Sequence, residues 1–256
     1  MVCVYDSGVG GLSALLGLRR AAPLTDVLYL GDTARGPYGT RDASTVVRYA
    51  RESLDYLASY DPEAILVACG TVSTVALPAL RDRYPMPVVG IVEAGVAKAL
   101  SYAPSRIAVL GTEATVKSAT FADRLTAAIP GVAVRSLACP LFVALAEAGL
   151  VDPDDPIPRL VAERTLAPLR GFSPEAVLLG CTHFPWLASH IAGIFPSAHL
   201  VDCGLAAVDR LLPTLMSGGH GDLSFRVTDG LEAFRRVAHR MLGDLSGNSF
   251  SVVSLG

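Results

Sequence analysis

Two cysteines sit where a thiol can do chemistry. Cys69 and Cys181 each close an apolar run and open a polar turn, in Val67-Ala68-Cys69-Gly70-Thr71 and Leu179-Gly180-Cys181-Thr182-His183. Such a thiol has two readings. It is a small buried hydrophobe, or it is partly exposed near helix N-terminal N–H groups that favour the thiolate, and so suited to acid/base work. Position alone leaves both open. Cys3, Cys139 and Cys203 read as packing residues. The five cysteines are scattered without a C-x-x-C pair, so neither a zinc site nor a disulfide framework is expected. His183, two residues after Cys181, is placed to orient a proton transfer. The other histidines, His190, His199, His220 and His239, have no partner pattern.

A third feature is the glycine-rich run Asp6-Ser7-Gly8-Val9-Gly10-Gly11. It matches neither the dinucleotide fingerprint nor a P-loop, which disfavours a nucleotide. A tight turn is one reading. The other is a cradle in which backbone N–H groups and Ser7 hold a small carboxylate.

These residues need elements to position them. Short apolar runs at Val2–Tyr5, Val27–Leu30, Ala64–Ala68, Val88–Ile91, Ile107–Leu110, Val132–Ser136, Ala176–Leu179 and His199–Val201 read as strands. Amphipathic stretches such as Ala43–Ser59, Thr115–Ala128 and Pro158–Leu169 read as helices between them. Continuous apolar strands alternating with helices indicate parallel sheets covered on both faces, an α/β fold. In such sheets ligands gather where strands run into helices. Both cysteines, Asp6 and Gly111-Thr112 fall at such strand ends. We therefore expect two doubly wound lobes facing one cleft, with a boundary near Glu93–Gly95 and a return around Cys203–Gly204. Residues 1–94 with 205–256 would carry Cys69, and residues 95–204 would carry Cys181.

Composition narrows the setting. The 256 residues are 51% hydrophobic and 18% charged with a net charge of −3. That suits a packed core and gives no footprint for nucleic acid or a membrane surface. The start has no signal-peptide pattern and no run approaches a bilayer span, so a cytoplasmic location is expected. A homodimer is allowed, but no face is marked for it.

Over nearly its whole length the chain resembles the glutamate racemases of the aspartate/glutamate racemase superfamily. The matching stretches are YDSGVGGLS at 5–13, LGDTARGPYGTR at 30–41, VACGTVST at 67–74, GTEATVKS at 111–118, ACPLFVALAEAG at 138–149, LLGCTHFPWL at 178–187 and TDGLEAF at 228–234. The resemblance implies a cofactor-free enzyme that interconverts L- and D-glutamate and supplies D-glutamate for peptidoglycan. It makes Cys69 and Cys181 the paired acid/base thiols, assisted by Asp6, His183 and Glu147. It places Asp6, Ser7, Pro37, Tyr38, Gly39, Gly70, Thr71, Thr115, Thr182 and His183 at substrate-binding positions. One departure stands out: the family usually has Asn after the first cysteine, where this chain has Gly70. A lost substrate hydrogen bond there would cost about 0.5–1.5 kcal/mol. Alternatives are a racemase of aspartate or another small acid, and a non-catalytic binder of small acids on the same scaffold.

The implied chemistry suits thiols. Racemisation takes a proton from one face of Cα and returns one to the other, so each group must act in both directions. A thiol, with an ordinary pKa of about 8.5, can do both near neutral pH. The common alternative, pyridoxal phosphate, needs a Schiff-base lysine. The only lysines, Lys98 and Lys117, lie in predicted helices and belong to no phosphate-cradling motif.

Overall fold

In the computed structural model, residues 1–216 and 218–255 are described. Ten strands form two all-parallel sheets. The first six are β1 (Val2–Asp6), β2 (Val27–Gly31), β3 (Ala64–Val67), β4 (Val88–Gly90), β5 (Arg106–Gly111) and β6 (Ala133–Ala138). The others are β7 (Ala176–Leu179), β8 (His199–Asp202), β9 (Leu223–Val227) and β10 (Ser249–Val252). The larger sheet has the order β10-β9-β2-β1-β3-β4, and the smaller has β6-β5-β7-β8.

The helices run between strands as parallel crossovers require. They are α1 (Leu12–Ala21), α2 (Ala43–Ala58), α3 (Gly70–Val75), α4 (Leu77–Leu80), α5 (Ile91–Leu100) and α6 (Glu113–Lys117). The second six are α7 (Thr120–Ala128), α8 (Pro140–Ala148), α9 (Pro156–Leu166), α10 (Ala188–Ile194), α11 (Cys203–Leu211) and α12 (Leu231–Leu242). None is long and apolar enough to cross a membrane among the described residues.

The period of two along each strand sorts side chains into three cores. Val2 and Val4 of β1, Ala64 and Leu66 of β3, Ile107 and Val109 of β5, and Ala176 and Leu178 of β7 share one core with α5 and α11. The opposite rows diverge. Cys3, Tyr5, Ile65 and Val67 pack with α2 on the outer face of the larger sheet. Ala108, Leu110, Val177 and Leu179 pack with α8, α9 and α10 on the outer face of the smaller. The expected boundaries near residues 94 and 204 fall within α5 and α11, whose buried side chains belong to the core common to both sheets.

Three expectations change. β9 and β10 were not anticipated, because Leu-Ser-Phe-Arg-Val and Ser-Phe-Ser-Val alternate polar with apolar residues and make no continuous run. The predicted helix 115–128 is two helices, broken at Ala119 with φ 56°. There the Ser118 hydroxyl bonds back to the Thr115 carbonyl and the Thr120 hydroxyl donates to the Thr74 carbonyl, competing with helical pairing. The helix predicted at 158–169 starts at Pro156, capped by Asp155 accepting from the Ile157 N–H, and yields to a 3₁₀ turn at Ala167–Phe172, where Pro168 has no N–H to continue it.

Candidate active site

The carboxyl ends of β1, β3, β5 and β7 converge. Parallel pairing is extended one step past the strands by the Ala68 N–H to the Tyr5 carbonyl, 2.9 Å, and the Gly180 N–H to the Leu110 carbonyl, 2.8 Å. The next residue in each loop is a cysteine. Cys69 caps the start of α3, and Cys181 opens the turn before the 3₁₀ segment Phe184–Leu187. The two loops touch directly: a Cβ placed on Gly70 would lie 1.9 Å from the Gly180 carbonyl oxygen and 3.5 Å from the Cys181 Cα.

Both thiols are 5% exposed, more enclosed than the sequence led us to expect. Burial, and then the neighbouring Asp6 carboxylate, push the Cys69 thiol up to about 12, outweighing the Ser7 hydroxyl and the Val72 N–H. Of the two readings that position left open, burial outweighs the helix N–H groups at Cys69. A one-and-a-half-turn helix does not offset desolvation beside a carboxylate. Cys69 Sγ lies 3.4 Å from Ser7 Oγ.

On the other side, Cys181 Sγ is 3.6 Å from His183 Nδ1. Burial pulls the imidazole down, but Cys181 and Glu147 more than reverse this, so His183 is held up to about 10 and is an imidazolium at neutral pH. Its Nε2 is 3.3 Å from Glu147 Oε1, near enough to pair as charges but off line, since that buried nitrogen makes no hydrogen bond among the described residues. A free donor is thus left in the wall of the cleft.

Asp6 links the two sides. Its Oδ2 accepts from the Gly8 N–H at 2.9 Å and its Oδ1 from the Thr182 hydroxyl at 3.3 Å. Burial raises the carboxyl above the ordinary range, against the opposing pull of His183 and the Gly11, Gly8 and Thr182 donors. The glycine-rich run is tight for a reason: a Cβ on Gly10 would stand 2.3 Å from Thr182 Oγ1.

The remaining expected residues divide. Ser7, Gly8, Pro37, Glu147 and His183 line an open cleft of about 300 Å³. Thr71 bonds across the gap to Thr112 at 3.0 Å, and Thr112 bonds to the Thr115 hydroxyl at 3.0 Å, so three hydroxyls from both sheets form one chain. Gly39 sits against the Thr112 side chain. The Tyr38 hydroxyl is not among these groups; it bonds to Asp32 and Tyr5 inside the larger half, and the residue is 1% exposed.

Sequence reasoning noted Thr112 at a strand end but gave neither it nor Asp32 a role, and left out Ser13 and the far wall of the cleft. Ser13 Oγ donates to the Thr182 carbonyl at 3.1 Å. The far wall comprises Asp229, Gly230, Ala233, Phe234 and Val237, from the start of α12. The signal was present in the TDGLEAF stretch, but with β9 unrecognised it had no strand end to sit on. A separate group, Asp26, His220 and Asp222, brings its ligand-type atoms within 4.8 Å of one another. Asp26 accepts the His220 and Asp222 N–H groups there, which is the arrangement of a closed loop.

Comparison with known proteins bears on the fold and the family. The chain is 38% identical over 242 residues to the glutamate racemase of Aquifex aeolicus, covering 94% of this chain and 93% of that one. The crystal structure of glutamate racemase from Francisella tularensis in complex with D-glutamate superposes with a TM-score of 0.91 at 32% identity, covering 99% and 97% of the two chains. That from Thermus thermophilus in complex with β-chloro-D-alanine gives 0.88 at 37% identity, covering 99% and 96%. Residues 15–211 match the model of the Asp/Glu/Hydantoin racemase family. With that match spanning most of the strand ends that build the cleft, the chain belongs to this family.

Proposed function

We propose that the protein is a glutamate racemase in which Cys69 and Cys181 exchange protons with opposite faces of Cα, without a cofactor, and that it acts in the cytoplasm to supply D-glutamate for peptidoglycan. The observation that carries this reading is the backbone contact between Gly70 and Gly180, which sets the two cysteine-bearing strand ends against each other. On this reading residues 1–94 with 205–256 form the lobe carrying Cys69, residues 95–204 form the lobe carrying Cys181, and substrate lies between them.

In one direction Cys69 carries the proton to be delivered and Cys181 acts as the thiolate base. It takes the Cα proton, the electron pair remains on Cα, and Cys69 gives its proton to the other face. The reverse direction exchanges the roles. Asp6 faces the side of the α-ammonium, whose charge would compensate its buried carboxylate. The imidazolium of His183 and the free Nε2–H supply positive charge to the carboxylates of the substrate. Hydroxyls of Ser7, Thr71, Thr115 and Thr182 complete the donor set. Lys98 and Lys117 are both exposed, which argues against an internal Schiff base.

The test follows the optical rotation of purified L- and D-glutamate, with aspartate in parallel, for the wild type and for Cys69→Ser and Cys181→Ser. Loss of turnover by at least about 100-fold in each variant is expected from removing one partner of a paired acid/base. Wild-type rates in either variant, or aspartate turned over faster than glutamate, would reject the mechanism or the substrate respectively.

A further inference from the structure

The turn that carries the second thiol has a carbonyl it cannot satisfy by itself. In Cys181-Thr182-His183 the Cys181 carbonyl accepts the Phe184 N–H at 3.1 Å and the His183 carbonyl accepts the Trp186 N–H at 3.3 Å, each from three residues on. The residue three on from Thr182 is Pro185, which has no N–H to give. Thr182 is 5% exposed, and a buried carbonyl left without a donor is costly.

The donor comes from the half built on the other sheet. Ser13, the second residue of α1 and itself 8% exposed, donates from Oγ to the Thr182 carbonyl at 3.1 Å. The same Oγ lies 3.0 Å from the Gly10 carbonyl, and a hydroxyl has one proton for the two. Gly10 already accepts the Ser13 N–H at 3.1 Å, so the proton is needed on Thr182. Close approach makes this reach possible: bare Gly10 lies against the Thr182 hydroxyl and the His183 ring, which a Cβ there would meet at 2.3 and 2.8 Å. The Thr182 side chain is held from the same half, by Asp6 at 3.3 Å. Thr182 is thus fixed at both side chain and main chain by the larger half, with Cys181 before it and His183 after it.

We propose that Ser13 is a positioning residue: by supplying the donor that Pro185 withholds, it fixes the Thr182 peptide and with it the Cys181 thiol against the substrate Cα. The inference rests on the two-thiol reading above. Where Cys69 is the base, its thiolate takes the Cα proton, the electron pair stays on carbon, and the Cys181 S–H bond breaks as its proton joins the opposite face. A displaced Cys181 slows that delivery. Cys69, after exchange with solvent, then more often returns hydrogen to the face it came from. For the other enantiomer Cys181 is the base, and its displacement slows removal and return alike while delivery by Cys69 is intact. Loss of the Ser13 hydroxyl therefore affects the two enantiomers unequally, which a general loosening of the cleft does not.

Ser13→Thr and Ser13→Val match in shape and differ in the hydroxyl alone. Ser13 borders a cavity of about 480 Å³ beside Pro185 and Trp186, which leaves room for the added methyl groups. Wild type and both variants are run from each enantiomer in deuterium oxide, with inversion read by circular dichroism and Cα deuterium in each separated enantiomer by mass spectrometry. Mirror-image acids are equally stable, so kcat/KM must fall equally in both directions, and the label is what tells the thiols apart. Ser13→Val is expected to lose roughly 10-fold in kcat with KM little changed, and Ser13→Thr to stay within about 2-fold of wild type. In Ser13→Val the ratio of deuterium incorporated with retention to that incorporated with inversion should rise several-fold for the enantiomer that Cys69 deprotonates, and not for the other. That enantiomer is the one whose Cα Cys181→Ser still exchanges. Wild-type kcat in Ser13→Val, a ratio that rises for both enantiomers or for neither, or Ser13→Thr as slow as Ser13→Val overturns the proposal. Should Ser13→Val not fold, Ser13→Ala is read in the same way. Unfolding of both also overturns it, because the hydroxyl would then fasten the whole fold rather than one thiol. A wild-type protein that does not racemise glutamate fails the two-thiol reading instead.

Discussion

Asp32 offers a graded test of how the loop facing the second sheet is held. Its carboxylate is fully buried. Oδ2 accepts from Arg35 Nε at 2.7 Å and from the Tyr38 hydroxyl, and Oδ1 from the Thr228 hydroxyl at 2.8 Å. It therefore ties the turn at 32–39 to the end of β9. In Asp32→Ala, Arg35 keeps Glu52, Tyr38 keeps Tyr5 at 3.2 Å, and the Thr228 hydroxyl still accepts the Ala34 N–H at 2.8 Å. Breaking a buried ion pair costs about 3–5 kcal/mol when the survivor is left isolated. Arg35 is 19% exposed and retains a second partner, so the lower end, about 3 kcal/mol, applies. Asp32→Asn can turn its oxygen to Arg35 and Tyr38 and its amide to the Thr228 oxygen, trading charge-assisted bonds for neutral ones at about 1–2 kcal/mol. Urea denaturation of the three proteins measures both numbers, and for a chain of this size melting should fall by roughly 6–12 °C for the alanine variant. KM should rise as well, because Gly39 on the same turn packs against Thr112 across the gap. An alanine variant within about 1 kcal/mol of wild type would refute the view that this carboxylate organises the turn, and an asparagine variant just as damaged would refute the exchange of charge-assisted bonds for neutral ones.

Two further outcomes follow from the site. The Cys69 thiol, pushed up to about 12 by burial and Asp6, should be alkylated at a rate that keeps climbing about tenfold per pH unit above pH 9; a plateau near pH 9 would contradict the burial argument. The same shift has a defined sign for stability, since the folded chain keeps a proton that the unfolded chain releases. That contribution is complete below pH 9 and is lost as pH rises toward 12, which Cys69→Ser should abolish in denaturation measured across that window. Thr112→Val removes the α6 cap, the Thr112 hydroxyl accepting from the Thr115 N–H at 3.2 Å, together with the bond to Thr71. It should cost about 1 kcal/mol and raise KM, while Thr112→Ser restores both; equal behaviour of the two variants in thermal melting and kinetics would count against the hydroxyl chain.

What could be read from the sequence was decided by burial on both faces. β1, β2, β3 and β7 are buried at every position, so their apolar runs were unambiguous and placed Asp6, Cys69 and Cys181 at strand ends. β9 alternates between buried and half-buried positions, and without it Asp32–Thr228 and the α12 wall of the cleft had no legible frame. Cys69 shows a different gap. Its place on a turn was legible, but its protonation depends on burial and then on Asp6, which lies 63 residues earlier and meets it only because β1 pairs with β3. Tyr38 reads as a ligand from its motif, and only the pairing of its hydroxyl with Asp32 shows that its ring belongs to the core of the larger half.

The halves are joined by two unlike kinds of contact, and the contrast bears on how substrate enters a site whose thiols are nearly sealed. Between the sheets, α5 and α11 contribute Ile91, Val92, Ala94, Ala207 and Val208 to a core that also holds β1, β3, β5 and β7 residues. Separating the sheets there would expose several whole apolar side chains at about 1.5–3 kcal/mol each. Across the cleft, the contacts are between polar groups: Thr71 with Thr112, Thr182 with Asp6, and Ser13 with the Thr182 carbonyl. Each such bond is worth only about 0.5–1.5 kcal/mol net, because water replaces it on opening. An opening that pivots on the apolar core and parts the polar contacts is therefore the cheapest one available. The hydroxyls released by it are the same groups that a charged amino acid can engage in their place. Substrate would thus close the cleft by replacing these bonds, and closure would return Gly70 to Gly180 and the thiols to their span.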